Sequence, residues 1–592
     1  MNKAQQNQST LFSLLVSAVF IFAVFYPQES PGGEGLRIPY NNWVWIFAIL
    51  GICAAIFQII LKKLIVLPHY WLGIAALPLG LMISGFIIDS SKPTLWLFKI
   101  AYVVGGYCFF ISLFQFNFTR REIENILYTL CCAAMAHSVI GATQIMGWHF
   151  SSFIPRTTFD VPISFFQQVN VHGSFLISAF LIACYLATTP SIKHRPLGYK
   201  LIILLTIAAT TTTLLAIGSR TTLVAFMVCA PLIVAGRLQK FKQHRQLAKA
   251  LCLAFVVGLS AGGGLSDGLA KYETKLDAQK TSARIYIYDL SWQIFKQKPL
   301  LGHGLGSFER VFQEAKIGYQ HSAKMGSQRY GHPHNEMLLW MIESGITAIV
   351  GILIAALVTL KALFNLGWRR AATYTALIFP ISFHTQTELP FYLSSALWFL
   401  WLSLLYIIHC HRAYKYPVTL SIAAQTLIST VSIVLSCLFI GFLIHTLVAL
   451  SGIVKYVREK DTDFSKLAPA HANIYHQDLA QHIQLTTLLY VDIATGGKKY
   501  ADLYIQWAKS YLVNNPVTNV INDLTLAYYY LGERDKALNI IEKGSRMYPS
   551  TAAISDRLAD IKGKKPIEQF KQKIKTDARQ SRDPATELNM KK

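Results

Sequence analysis

The sequence predicts an all-α, polytopic membrane protein of about thirteen transmembrane helices. Three observations carry that prediction. Of 592 residues, 53% are apolar and 15% charged, and the mean hydropathy is +0.38; a soluble chain of this length needs more charge to cover its surface. The apolar residues fall in long runs rather than in alternation, and a run of roughly 18 or more can cross the hydrocarbon layer as a helix. Every second loop between the runs is basic, the mark of a cytoplasmic loop.

The elements follow in order. Leu11 to Phe25 reads as a retained first helix, since no basic cluster precedes it and no small-residue cleavage site follows. Lys62 and Lys63 follow the second run, Arg120 and Arg121 the fourth, and Lys193, His194, Arg195 and Lys200 the sixth. Arg237, Lys240, Lys242 and Arg245 follow the eighth, Arg369 and Arg370 the tenth, and His411, Arg412 and Lys415 the twelfth. With the N-terminus inside, these loops are cytoplasmic. The loops Pro27 to Asn42, Gly147 to Pro162 and Leu265 to His334 are then periplasmic. A last run, Leu420 to Leu450, crosses outward and leaves the rest of the chain in the periplasm.

The expected division is therefore N-terminal transmembrane helices (1–264), a large periplasmic loop (265–335), C-terminal transmembrane helices (336–452), a periplasmic helical domain (453–564) and a charged, disordered tail (565–592). Within the helical domain, Ala527 to Gly532, Ala537, Gly544 and Pro549 have the spacing of one tetratricopeptide repeat. One repeat cannot bury its own face, so neighbours such as Tyr500 to Val513 must cover it.

The formal net charge of +24 sits mostly in the short loops, so it is a topology signal rather than a nucleic-acid footprint. The nine cysteines lie in apolar runs or at their edges and read as small packing residues, with no disulfide framework or zinc spacing.

Transporters place charge at the membrane midplane, and the apolar runs here hold almost none. The unusual polar residues gather instead at the predicted periplasmic ends of helices. Gln168, Asn170 and His172 open the sixth helix, and Ser219 and Arg220 the eighth. Arg284 lies in the long loop; His332, His334, Asn335 and Glu336 open the tenth helix; His384, Glu388 and Tyr392 surround the turn between the eleventh and twelfth. Plainer roles remain open for each. Arg220 also fits an interface anchor, and Arg284 a solvated charge on an amphipathic helix over Ser282 to Lys298. Gln168, Asn170, His334 and Asn335 also fit helix caps, and Glu388-Leu-Pro390 a simple turn. Other motifs fail. Gly302-His-Gly304-Leu-Gly306 follows a helix and a proline and lacks the Lys-Ser/Thr of a phosphate loop. His303, His332 and His334 lack a carboxylate set with ligand spacing. Ser219 stands in no nucleophile elbow.

The run Arg284, Pro299-Leu-Leu-Gly302-His-Gly304-Leu-Gly306-Ser-Phe308, His332-Pro-His334-Asn335-Glu336 and Glu343-Ser-Gly345, with Ser219-Arg220 before it, resembles the core of the O-antigen ligase superfamily. That superfamily comprises O-antigen ligases, O-antigen polymerases and bacterial protein O-oligosaccharyltransferases. Gln168-Val-Asn170 and His384-x-x-x-Glu388-Leu-Pro390-Phe-Tyr392 resemble signatures of the protein-glycosylating branch, as does a soluble C-terminal region. Two departures stand out: Gln168 follows Phe-Phe-Gln rather than a glycine-rich lead, and both Phe391 and Tyr392 are candidates for the aromatic after Pro390.

The resemblance implies a GT-C-like membrane fold in the bacterial inner membrane and an undecaprenyl-diphosphate-linked oligosaccharide donor. The implied acceptor is a Ser or Thr hydroxyl of a periplasmic or pilin-like protein, and no metal or cofactor is required. Arg220 and Arg284 are the candidates to stabilise the anionic diphosphate as it leaves. His334 is the candidate to take the acceptor proton or orient its hydroxyl. Gln168, Asn170, His332, Asn335, His384, Glu388 and Tyr392 are candidate substrate-binding residues. A ligase acting on lipid A core, a polymerase of lipid-linked glycan and a glycan transporter are the alternatives.

Overall fold

The computed structural model describes residues 3–90, 92–148, 161–266, 270–326, 329–459, 463–570 and 572. In chain order the described elements begin with α1 (Lys3–Ala18), α2 (Pro39–Lys62), β1 (Leu64–Pro68), α3 (Trp71–Ile87), α4 (Pro93–Leu113), α5 (Arg120–Ile145) and α6 (Val169–Leu186). Next come α7 (Leu197–Ile217), α8 (Arg220–Gln243), α9 (Arg245–Ser266), α10 (Ala270–Gln297), α11 (Phe308–Lys316), α12 (Glu336–Phe364), α13 (Trp368–His384), α14 (Pro390–Leu393) and α15 (Ser395–His409). The chain continues through β2 (Ala413–Pro417), α16 (Ile422–Glu459), α17 (Ala468–His471), α18 (Gln477–Thr495), α19 (Lys499–Asn514), α20 (Thr518–Tyr530), α21 (Arg534–Met547) and α22 (Ala552–Lys562).

Among the described residues nine helices are long and apolar enough to cross a membrane, and three shorter apolar helices accompany them. The chain is a multi-pass membrane protein. Helices suit the apolar runs because every backbone donor and acceptor is satisfied within the segment. The α7 threonines show the same economy: the hydroxyls of Thr206, Thr210 and Thr211 return to carbonyls four residues earlier at 2.6–2.7 Å.

Contacts divide the chain into two compact units. The first holds residues 1–79, 101–274 and 350–451. Its innermost long helix is α6, with 78% of its most apolar window buried, whereas α16 buries only 11% of its window. The Leu, Ile and Phe side chains that α16 exposes are the kind that face lipid.

Two features of this unit depart from the sequence expectation. The fold is not wholly helical: β1 and β2 pair antiparallel, with Leu64 opposite Pro417 and Pro68 opposite Ala413. The expectation failed because Leu64–Pro68 is as apolar as the helix that follows it, and its partner lies about 350 residues away in sequence. The pairing also joins the basic loop after α2 to the one after α15. The second departure is the last apolar run, whose helix extends through Glu459, 38 residues in all.

The second unit holds residues 80–100, 275–349 and 452–592, so the long loop and the C-terminal segment fold together. The long segment before His334 is largely helical, with α10 covering the amphipathic stretch expected over Ser282 to Lys298. In the C-terminal segment α19 to α22 pack as consecutive neighbours. The small residues of the repeat pattern are where packing is closest: Ala527 and Ala537 are fully buried, and a Cβ at Gly544 would meet Ile521. Residues 567–570 form a further helical turn whose Phe570 packs edge-on against Tyr529. Most of the tail beyond, expected to be disordered, lies outside the described residues, as does most of the loop Gly147 to Pro162.

Candidate active site

Most of the singled-out residues gather into two polar clusters, one in each unit. In the first, the segment before α6 is pinned by buried side chains. The Gln144 amide accepts from the Ser164 N–H at 2.7 Å and donates to its carbonyl at 3.2 Å. His137 Nδ1 meets Ser164 Oγ at 2.7 Å, and His172 Nδ1 meets the Pro162 carbonyl at 2.6 Å. Ser164, gripped by these contacts, has φ 50°, and Gln167 has φ 58°, a strained choice for residues other than glycine.

The chain then presents Gln168 and Asn170 to Glu388. Gln168 Nε2 donates to one carboxylate oxygen, and Asn170 Nδ2 to the other at 3.5 Å. Ser219 Oγ donates to Asn170 Oδ1 at 2.8 Å, which ties the head of α8 into the cluster. His384 is fully buried, with Nδ1 2.8 Å from Ser174 Oγ, and its carbonyl accepts the Glu388 N–H at 2.9 Å. The capping role open to Gln168 is not what its side chain does; although it precedes α6, it makes no capping bond. Arg220 is the first residue of α8 and is exposed. Tyr392 stacks on Tyr102 at 5.9 Å, while the Phe391 carbonyl accepts the Tyr102 hydroxyl.

In the second unit the cluster is built around the backbone of His334, held at φ 54°. Its N–H donates to His332 Nδ1 at 3.2 Å, and its carbonyl accepts the Tyr288 hydroxyl at 3.2 Å. The two imidazoles lie 4.6 Å apart, and Tyr330 meets His334 edge-on at 6.3 Å. Burial, and then the positive charges of Arg284 and Lys99, push the His332 pKa down to about 4, so this imidazole is neutral and serves as an acceptor. Arg284 and Tyr288 stand one helical turn apart on α10 and so share a face. Asn335 does take the capping role, its Oδ1 accepting the Leu338 N–H at 3.0 Å. His303 is engaged elsewhere, with Nε2 3.2 Å from the Ile294 carbonyl.

The glycine-rich run beneath this cluster does structural work. α12 is broken at Gly345 (φ 67°), and the loop after Pro299 fills the break. The His303 N–H reaches the Ile342 carbonyl at 2.8 Å, Gly304 N–H reaches Glu343 at 3.0 Å, and Ile346 N–H reaches Pro299 at 2.8 Å. A Cβ on Gly302 would collide with the backbone of 342–344, and one on Gly345 with that of 300–302. Both glycines are therefore required for contact between two backbones.

Lys99 and Glu343 also belong to this scaffold; Glu343 was visible in the Glu343-Ser-Gly345 motif, whereas Lys99 was overlooked in the sequence. Their buried ion pair is 2.5 Å long, and Glu343 accepts the Phe308 N–H at 3.4 Å as well. A lone lysine inside an apolar run was the available signal.

With this geometry in hand, two family models match the chain. One, described as O-antigen ligase, covers residues 203–353 and so includes Arg220, Arg284, His332 and His334. The other, described as the C-terminal part of a virulence factor membrane-bound polymerase, covers residues 373–559 with His384 and Glu388. The chain belongs to the O-antigen ligase superfamily. No curated protein matches it. Membership implies a membrane glycosyltransferase that moves a lipid-linked glycan onto an acceptor.

Proposed function

We propose that this superfamily member is a protein O-oligosaccharyltransferase, moving an oligosaccharide from undecaprenyl diphosphate to Ser or Thr of periplasmic or pilin-like proteins. The observation that carries the reading is the meeting of Gln168 and Asn170 with Glu388. These are the two segments that resemble the protein-glycosylating branch, and they bond to each other across more than 200 residues of sequence.

In the reaction the acceptor oxygen attacks the anomeric carbon. The bond from that carbon to the diphosphate oxygen breaks, and the electron pair leaves with the diphosphate, which needs positive charge more than a proton. Arg284, whose charge acts on His332, is assigned to that anion, and Arg220 is assigned the same task by its charge and position at a helix head. The acceptor proton passes to His334 or, with His334 orienting the hydroxyl, to water. The scheme requires no metal.

The orientation proposed is the bacterial inner membrane, with both clusters and the C-terminal region in the periplasm and about thirteen crossings. Pairing of the basic loops through β1 and β2 supports a common side for them. The neighbouring helices of the C-terminal region support the tetratricopeptide-like reading, and such surfaces suit peptide segments.

The second match, to a polymerase family, favours one competing reading, extension of the lipid-linked glycan. Purified enzyme and donor are offered a pilin-like protein, a lipid A core, or neither. Glycan on Ser or Thr of the protein is expected. Transfer to the lipid core alone replaces this reading with a ligase, and longer lipid-linked chains alone replace it with a polymerase.

A further inference from the structure

Lys316 ends α11 with its side chain fully buried and its Nζ without a hydrogen-bond partner among the described residues. The ammonium instead lies over two rings, 4.9 Å from the centroid of Tyr548 and 5.5 Å from that of Tyr330. The rings come from distant parts of the chain. Tyr548 follows α21 in the C-terminal region, where its hydroxyl donates to the Pro516 carbonyl. Tyr330 is four residues before His334 and meets its imidazole edge-on. Gln313, also fully buried, donates to the Tyr330 carbonyl at 3.4 Å. α11 itself packs on α19 and α21, and Ile317 joins the apolar cluster of Ile541, Met547, Tyr548 and Ile554.

Stability alone does not account for this lysine. Burial pushes its pKa down to about 8, so folding works against the charge, which is nevertheless still present at neutral pH. Each cation–π contact returns only about 0.5–2 kcal/mol. A Met of similar length would fill the space with no ion to desolvate, and buried ions replaced by apolar groups often leave a protein equally or more stable.

We propose that Lys316 is a positioning residue, tying Tyr548 of the C-terminal helices to Tyr330 so that the C-terminal region holds the His332–His334 segment in its working geometry. The inference rests on the assignment of His334 to transfer. It gives the C-terminal region a task that a docking platform for acceptors does not have. A platform acts through acceptor concentration and appears in KM, whereas a misplaced reacting group appears in kcat.

The test compares full-length wild type, Lys316→Met, Lys316→Arg and Tyr548→Leu, using whichever acceptor the wild type uses: the pilin-like protein, the lipid A core or the lipid-linked glycan itself. Lys316→Met is expected to lower kcat on the order of tenfold at saturating acceptor, with acceptor KM within about twofold. Hydrogen exchange of peptides covering residues 329–335 is expected to quicken several-fold while Tm does not fall. Lys316→Arg recovers part of the rate. Wild-type kcat and exchange in Lys316→Met overturn the proposal, as does a raised acceptor KM at unchanged kcat. A fall in Tm with faster exchange throughout the protein overturns it as well, since that is a packing defect. If Lys316→Met fails to fold, Tyr548→Leu, which leaves the lysine in place, decides by the same readouts. Exchange is measured without acceptor, so an error in the acceptor assignment leaves this test standing.

Discussion

In the first unit side chains meet side chains: Glu388 takes amide donors from Gln168 and Asn170, and Ser219 closes the chain onto Asn170. In the second unit the held object is the backbone. His334 is fixed through its N–H by His332 and through its carbonyl by Tyr288, in a left-handed conformation that costs on the order of 1 kcal/mol for an L-residue. The difference separates two kinds of work. A network of neutral amides around a carboxylate fixes a shape that recognises a substrate. A strained peptide pinned at both its donor and its acceptor fixes the direction in which an imidazole leaves the main chain, which is what proton transfer requires.

The comparison predicts the largest losses in the second unit. His334→Ala is expected to abolish transfer, and Arg284→Ala to lower kcat by about 10²-fold, the scale for losing a donor to developing charge. Arg284→Lys recovers only part, since an ammonium lacks the forked geometry for diphosphate. Single-turnover transfer from purified lipid-linked donor measures both. A His334→Ala enzyme that retains half its rate would end the division of labour drawn here.

Next in size are changes to the first cluster. Glu388→Ala strands both amide donors, and Gln168→Ala removes one of them. Each is expected to raise KM for donor or acceptor about tenfold while lowering kcat less. Because the two residues share one hydrogen bond, the double variant is expected to be little worse than Glu388→Ala alone, a coupling of about 1–3 kcal/mol. Strict additivity in a double-mutant cycle would mean that the observed contact carries no function.

What the sequence made legible follows from the same physics. Spanning helices announce themselves by apolar runs, and polar residues at helix ends stand out against that background, so the Gln168, Arg284, His334 and Glu388 segments were all visible. Their partners were not, because Gln168 and Glu388 are 220 residues apart and no local pattern encodes that bond. The strand Leu64–Pro68 was hidden by its own hydropathy. Lys99 was hidden for the opposite reason: one charge scarcely alters the average of a long apolar run. Gly302 and Gly345 were legible as glycines in a motif, yet their purpose, to let two backbones touch, exists only in three dimensions.

The smallest predicted effect is that of acid on the histidine segment, and it sharpens the contrast most finely. His332 has its pKa lowered from about 6.5 to about 4, first by burial and then by Arg284 and Lys99. The unfolded chain therefore binds more protons than the folded one between those values. The contribution to stability is complete above about pH 6.5 and is lost as pH falls toward about 4. Protonation also turns Nδ1 from an acceptor of the His334 N–H into a donor, so the pin on that peptide fails in the same window. At pH 5 only about a tenth of His332 is protonated, given a pKa near 4. Transfer measured there against pH 7.5 should fall slightly, with the main acid limb centred near 4. His332→Gln offers a neutral acceptor that does not titrate and should remove that limb while keeping most of the rate at pH 7.5. A limb centred near 4 that survives in His332→Gln would assign the titration to another group and would show that the peptide pin is not what acid breaks.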